Sequence, residues 1–184
     1  MRQQHFDTFF EALLTSTESI KEKYFQLPVA YGEEYIYRER AYCYELYHQI
    51  RNNLPDNYPY LFSGEVNKAG HPDVAGHCGG IIPDFLVHNA GHMGAEDNLV
   101  IIEVKTIIGA DISTEGTGFL KDIDTINCMT SMPNGYFKGI LLVYGFDNNE
   151  KKRKIKEFYR ERCNPENVLL LFHNNPLEKA IVPL

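Results

Sequence analysis

Along the first fifty residues, apolar side chains recur at helical spacing. Residues near 6–25, "FDTFFEALLTSTESIKEKYF", predict an amphipathic helix with a break near "TSTES". Past Pro28 and Gly32, a longer helix is expected from about Glu33 to Asn52, with Tyr42, Cys43, Leu46 and Ile50 as its inward stripe. "NNLPDNYP" carries the turn-forming residues that end it. The period then changes from helical to extended. "YLFSGEV", "IIPDFLVH" and "LVIIEVKT" read as strands, with the Gly-rich "NKAGHPDVAGHCGG" read as a loop and "NAGHMGAEDN" as a polar turn. Three strands in antiparallel succession make a meander. A helix within about residues 117–130, the apolar central strand "YFKGILLVYGF", the charged helix "NNEKKRKIKEFYRERC" and a last strand "NVLLLFHN" follow. The pattern predicts one domain over residues 1–184, with an N-terminal helical extension over 1–30 and a mixed sheet of four to five strands flanked by helices, of class α/β or α+β.

The strand pattern is broken where burial should be deepest. Asp84 interrupts "IIPDFLVH", and Glu103 and Lys105 interrupt "LVIIEVKT". A buried charge without a partner costs several kcal/mol, so these groups need compensation. Side chains alternate faces along a strand, which puts Glu103 and Lys105 on the same side. If the two segments pair as a hairpin in symmetric register, Asp84 falls opposite Glu103, with Cβ atoms about 5 Å apart. Two carboxylates that close either share a proton or hold a cation. A hard divalent ion suits oxygen ligands of this kind, and Lys105 would stand beside it as a compact cation for a phosphate oxygen or an attacking water.

Composition adds limits rather than direction. The chain has 184 residues, 43% of them apolar, which suits one domain with a proper core. It carries no long charge-free apolar stretch, and its start, "MRQQHFDTFFEALL", does not read as a signal peptide, so no membrane association and a cytoplasmic location are expected. Cys43, Cys78, Cys128 and Cys163 form no CxxC pair and are read as reduced thiols, with no disulfide. A net charge of -7 argues against a protein that binds nucleic acid by bulk electrostatics alone, although carboxylates gathered for a cation enter the same sum.

"PD" at Pro83 and Asp84 followed by "EVK" from Glu103 to Lys105 resembles the core motif of the PD-(D/E)xK nuclease superfamily. "PD" also occurs at Pro55-Asp56 and Pro72-Asp73, and "ExK" again at Glu150 to Lys152, but only the first pairing places both halves on adjoining strands. The resemblance implies an α/β restriction-endonuclease-like core in αβββαβ order at about residues 33–146 and Mg²⁺-dependent phosphodiester hydrolysis, with DNA as the expected substrate and Mn²⁺ as a substitute. It implies metal ligation by Asp84, Glu103 and a Glu from the preceding helix, taken as Glu45 with Glu39 as the competing choice, and Lys105 as catalytic cation. It also implies a substrate or water contact from the following helix, assigned to Lys121. Targeting would come from loops, from pairing of two sites in a homodimer or from a separate protein.

His88 shares the strand face of Asp84 by alternation and is a candidate substrate contact. The spacing of His71, His77, His88, His92 and Cys78 fits no usual zinc pattern. "EKKRKIKEFYRER" reads as a solvated helix face before it reads as a phosphate contact. The rival to the enzyme is a non-catalytic module of the same fold that mediates protein or nucleic-acid interaction, with the charged trio a plain ion pair.

Overall fold

The computed structural model describes residues 1–68, 72–92, 94–110 and 118–183. Helix α1 (Arg2–Thr17) and a single turn, α2 (Glu22–Phe25), occupy the segment read as one interrupted helix. Strands β1 (Leu27–Pro28) and β2 (Tyr35–Ile36) form a small antiparallel ladder, so α3 (Glu39–Asn53) begins later than the sequence suggested. After β3 (Leu61–Gly64) comes α4 (Pro72–Cys78), a helix inside the stretch expected to be a loop. Next are β4 (Phe85–His88), β5 (Asn98–Thr106), α5 (Gly118–Ser131), β6 (Lys138–Tyr144), α6 (Asn149–Arg162) and β7 (Val168–His173).

The main sheet has five strands in the order β3-β4-β5-β6-β7. The first three are antiparallel, as the meander required, and β6 and β7 add in parallel. The molecule is therefore a mixed α/β fold with a five-stranded mixed sheet between helices. Central β5 has nine residues and is buried at almost every position, since parallel pairing to β6 requires helices on both faces.

Alternation along β5 separates two cores. Val100, Ile102 and Val104 point toward α1 and α3, where they join Phe9, Leu13, Tyr42, Leu46 and Ile50. Ile101 points to the other side, in a cluster with Leu86, Phe119, Ile123, Ile126, Met129 and Ile155 from β4, α5 and α6. Period-two strands packed against period-3.6 helices account for this two-sided burial. Helix α5 lies so close to β6 that a Cβ on Gly139 would come within 2.3 Å of Ile126 Cγ2.

The expectation of four reduced cysteines needs correction. Cys78 and Cys128, expected as free thiols, form a disulfide across a sequence separation of 50. Pairing of α4 with α5 sets their Cα atoms 5.8 Å apart, within the range a disulfide bridges. Cys43 and Cys163 are free and buried. Among the described residues, no helix is long and apolar enough to cross a membrane.

Helix α6 behaves as the solvated face expected of it. Arg153 pairs with Glu157 and Lys154 with Glu150, while Lys151 Nζ donates to the carbonyls of Ile107 and Ile108. Its cations are thus engaged within the protein.

Candidate active site

The β4–β5 register pairs Phe85 with Ile102, and one step outward along both strands Asp84 comes opposite Glu103. Asp84 sits just before β4, where its Oδ2 accepts the Val104 amide at 2.7 Å and its carbonyl accepts the Glu65 amide at 3.0 Å. Those bonds fix the carboxylate across the strand gap. Glu103 is only 8% exposed, and its carboxyl lies within hydrogen-bond reach of Asp84's. The two acidic groups point to the same side of the sheet and meet.

Lys105 follows on that face. Its Nζ lies 3.1 Å from Asp122 Oδ2 on α5 and 3.3 Å from Glu39 Oε1 at the start of α3. Glu39 Oε2 also accepts the Thr106 amide at 3.3 Å. Glu39 and Asp122 thus pair with the Lys105 ammonium at the C-terminal end of β5, beside the contacting carboxyls of Asp84 and Glu103. Crevices outside the carboxyl ends of parallel strands are where α/β sheets commonly bind ligands.

An excess of buried negative charge shows in the proton affinities. Burial, then the charges of Asp84 and Asp122, push the Glu103 carboxyl well above its ordinary range. Burial also raises Asp84, with the Val104 amide pulling the other way. Asp122 is pushed up to about 6 by burial, against the opposing pull of Lys105. Burial alone would lower the Lys105 ammonium, but Asp122 and Glu39 outweigh it and hold the lysine charged. Without a cation between them, Glu103 and Asp84 are best satisfied by sharing one proton.

A cleft of about 620 Å³ opens onto this cluster, lined among others by Glu39, Arg40, Cys43, Tyr44, Glu65 and Asp84. Its wall on α3 is made by residues at helical spacing: Glu39, Cys43 and Tyr47 recur every fourth position on one face. Glu45 lies about 200° around the helix from Cys43 and accepts a hydrogen bond from Gln49 at 2.8 Å on its own helix. The α3 carboxylate brought to the site is therefore Glu39.

Lys121 is exposed on α5, whereas its neighbour Asp122 turns inward. The sequence reading missed Asp122, although its position at the edge of the buried Phe119, Ile123 and Ile126 stripe could have identified it. His88 is buried on the Asp84 face, four residues along the strand and so about 13 Å away. Burial, and then Lys68, lower its imidazole to about 4. His71 lies outside the described residues.

Among the described residues, no group of three or more His, Cys, Asp or Glu side chains is arranged to hold a metal ion. The Asp84–Glu103 pair supplies two hard oxygen donors, within the number that Mg²⁺ commonly draws from a protein while keeping several waters. Its raised proton affinities are the mark of a place where a cation would relieve repulsion. The residues present fit such an ion. Family models, curated proteins and solved structures give no match to this chain.

The proton affinities lead to an expected result. Glu103 binds its proton more tightly folded than unfolded, so its contribution to stability is complete below its ordinary value of 4.5 and is lost as pH rises through the folded value. Glutamine at this position cannot ionise. Thermal melts of Glu103→Gln and the parent protein should therefore diverge in the variant's favour as pH rises from 4.5, the ordinary value, toward neutrality. His88 and His173, both held at about 4 by burial, run the opposite way, but they do so in both proteins and cancel. Parallel melting curves across that range would show that Glu103 carries no repulsive charge.

Proposed function

We propose that this protein is a Mg²⁺-dependent phosphodiester hydrolase of the restriction-endonuclease-like type acting on nucleic acid, with DNA as its substrate. One observation carries the reading: Asp84 and Glu103, on neighbouring strands, bring their carboxyls into mutual contact on the face that also presents Lys105. The order α3, β3, β4, β5, α5, β6, with the short α4 inserted between β3 and β4, fits the αβββαβ plan that this resemblance implies.

In this reading Asp84 and Glu103 hold the divalent ion, which, when bound, supplies Lewis acidity at a phosphoryl oxygen and a more acidic water. Lys105, held as an ammonium, orients the attacking water and offsets charge that develops on the phosphoryl group. Asp84 is kept in place by the Val104 amide, so its carboxylate needs little reorganisation to act as a ligand. Glu39, the competing choice, takes the place on the preceding helix that the resemblance assigned to Glu45. The cleft beside Asp84 provides an approach for the substrate strand. The test is incubation of the purified protein with duplex and single-stranded DNA in Mg²⁺. Products that appear with Mg²⁺ and vanish with a chelator support the reading, and intact DNA under both conditions counts against it.

A second reading draws on a specific observation. Lys105 already has two carboxylate partners, Glu39 and Asp122, as a structural ion-pair network would. A non-catalytic interaction module with this fold would keep that network and show no affinity for Mn²⁺. The Asp84–Glu103 contact favours the enzyme, because the ion pairs of Lys105 leave those two acids without a cation of their own.

A further inference from the structure

We propose that Asp122 is a positioning residue that, with Glu39, holds Lys105 away from the Asp84–Glu103 pair and so keeps that pair open to a divalent cation. The inference rests on the metal-site reading above and deepens it. A lysine side chain has a flexible four-carbon stem, and on a strand only two residues from Glu103 its nearest strong attraction would otherwise be the two contacting acids. Lys105 already lies within electrostatic reach of Asp84. Collapse onto the pair would neutralise it internally and put an ammonium where a metal ion belongs. The structure contains the competing attraction. Asp122 Oδ2 stands 3.1 Å from Nζ and Glu39 Oε1 stands 3.3 Å from it.

The geometry of Asp122 suits restraint. Its side chain is 13% exposed and short, mounted on a helix whose Phe119, Ile123 and Ile126 are locked into the core. The carboxylate has little room to follow the lysine. Burial of an aspartate is costly, and an apolar residue would pack α5 against β5 without that cost, so helix packing alone does not explain the acid. Glu39 is anchored independently by the Thr106 amide, which makes the restraint two-sided.

The experiment uses the full chain with Mn²⁺ as probe, and three proteins: wild type, Asp122→Asn and Asp122→Asn with Lys105→Met. Asparagine preserves shape, and circular dichroism checks that the fold survives. The Nζ resonance of Lys105 in ¹⁵N-lysine spectra without metal should move in Asp122→Asn. Mn²⁺ affinity by calorimetry should fall about tenfold, the scale of coupling between contacting charges, and return once Lys105→Met removes the competing ammonium. An unchanged Nζ resonance overturns the proposal. A loss of affinity that Lys105→Met does not restore also overturns it, because Asp122 would then act on the ion directly. A wild type that binds no Mn²⁺ defeats the metal-site reading instead, and the resonance still decides whether Asp122 places the lysine.

Discussion

If the protein is the hydrolase proposed above, Lys105→Ala should lower its divalent-dependent DNA cleavage by about 10²–10³-fold, the usual cost of removing one preorganised group that meets developing charge. The expectation follows from location and charge together. The ammonium is fixed beside the Asp84–Glu103 pair by Asp122 and Glu39, which also keep it protonated. Alanine removes the cation and leaves those two carboxylates facing each other. Breaking a half-buried network of this kind also lowers stability, so rates are compared well below the variant's melting temperature. The relevant measurement is kcat and KM on one DNA substrate at saturating Mg²⁺. A fall in kcat is expected, since the role belongs to the transition state rather than to ground-state binding. Undiminished cleavage by the variant would remove Lys105 from the mechanism.

Reduction of the Cys78–Cys128 bond costs about 4 kcal/mol of unfolding free energy on the chain-entropy account, given a separation of 50 residues. The effect should be traceable to this bond, because Cys43 and Cys163 are free and buried. Against the protein without reductant, denaturant titrations of the protein in a dithiol and of the Cys78→Ser, Cys128→Ser double variant should show the same lowered midpoint. The bond ties α4, which leads toward Asp84, to α5, which carries Asp122. It also departs from the reduced cysteines expected of a cytoplasmic protein, since disulfides persist chiefly where the surroundings are oxidising. Alkylation of four thiols in protein unfolded without reductant would show that the bridge does not form.

The legible part of this chain was the part written in local periodicity. The apolar run from Leu99 to Thr106 could only be an interior strand, so charges at Glu103 and Lys105 stood out, and the symmetric register that set Asp84 opposite Glu103 holds. Glu39 and Glu45 were harder to separate. Both lie on the same helix, and which one faces the sheet depends on where α3 starts; β2 delays that start to Glu39, which places this acid in the first turn, where a negative charge is favoured. Asp122 was hidden in "KDID", where the adjacent Lys121 looked the better ligand for a phosphate but points to solvent. The disulfide left no mark in the spacing. It depends on α4 forming within a Gly-rich stretch and docking on α5, a tertiary event that no local pattern encodes.

The claim on which the rest depends is that the Asp84–Glu103 pair forms a divalent-cation site. Thermal unfolding of the wild type and of Asp84→Asn, each with and without Mn²⁺ near neutral pH, tests it most directly, because an ion that binds only the folded state raises the melting temperature in proportion to its occupancy. The account predicts a Mn²⁺-dependent rise in the wild type that is lost in Asp84→Asn. Equal melting temperatures with and without Mn²⁺ in the wild type, or the same rise in both proteins, would contradict it.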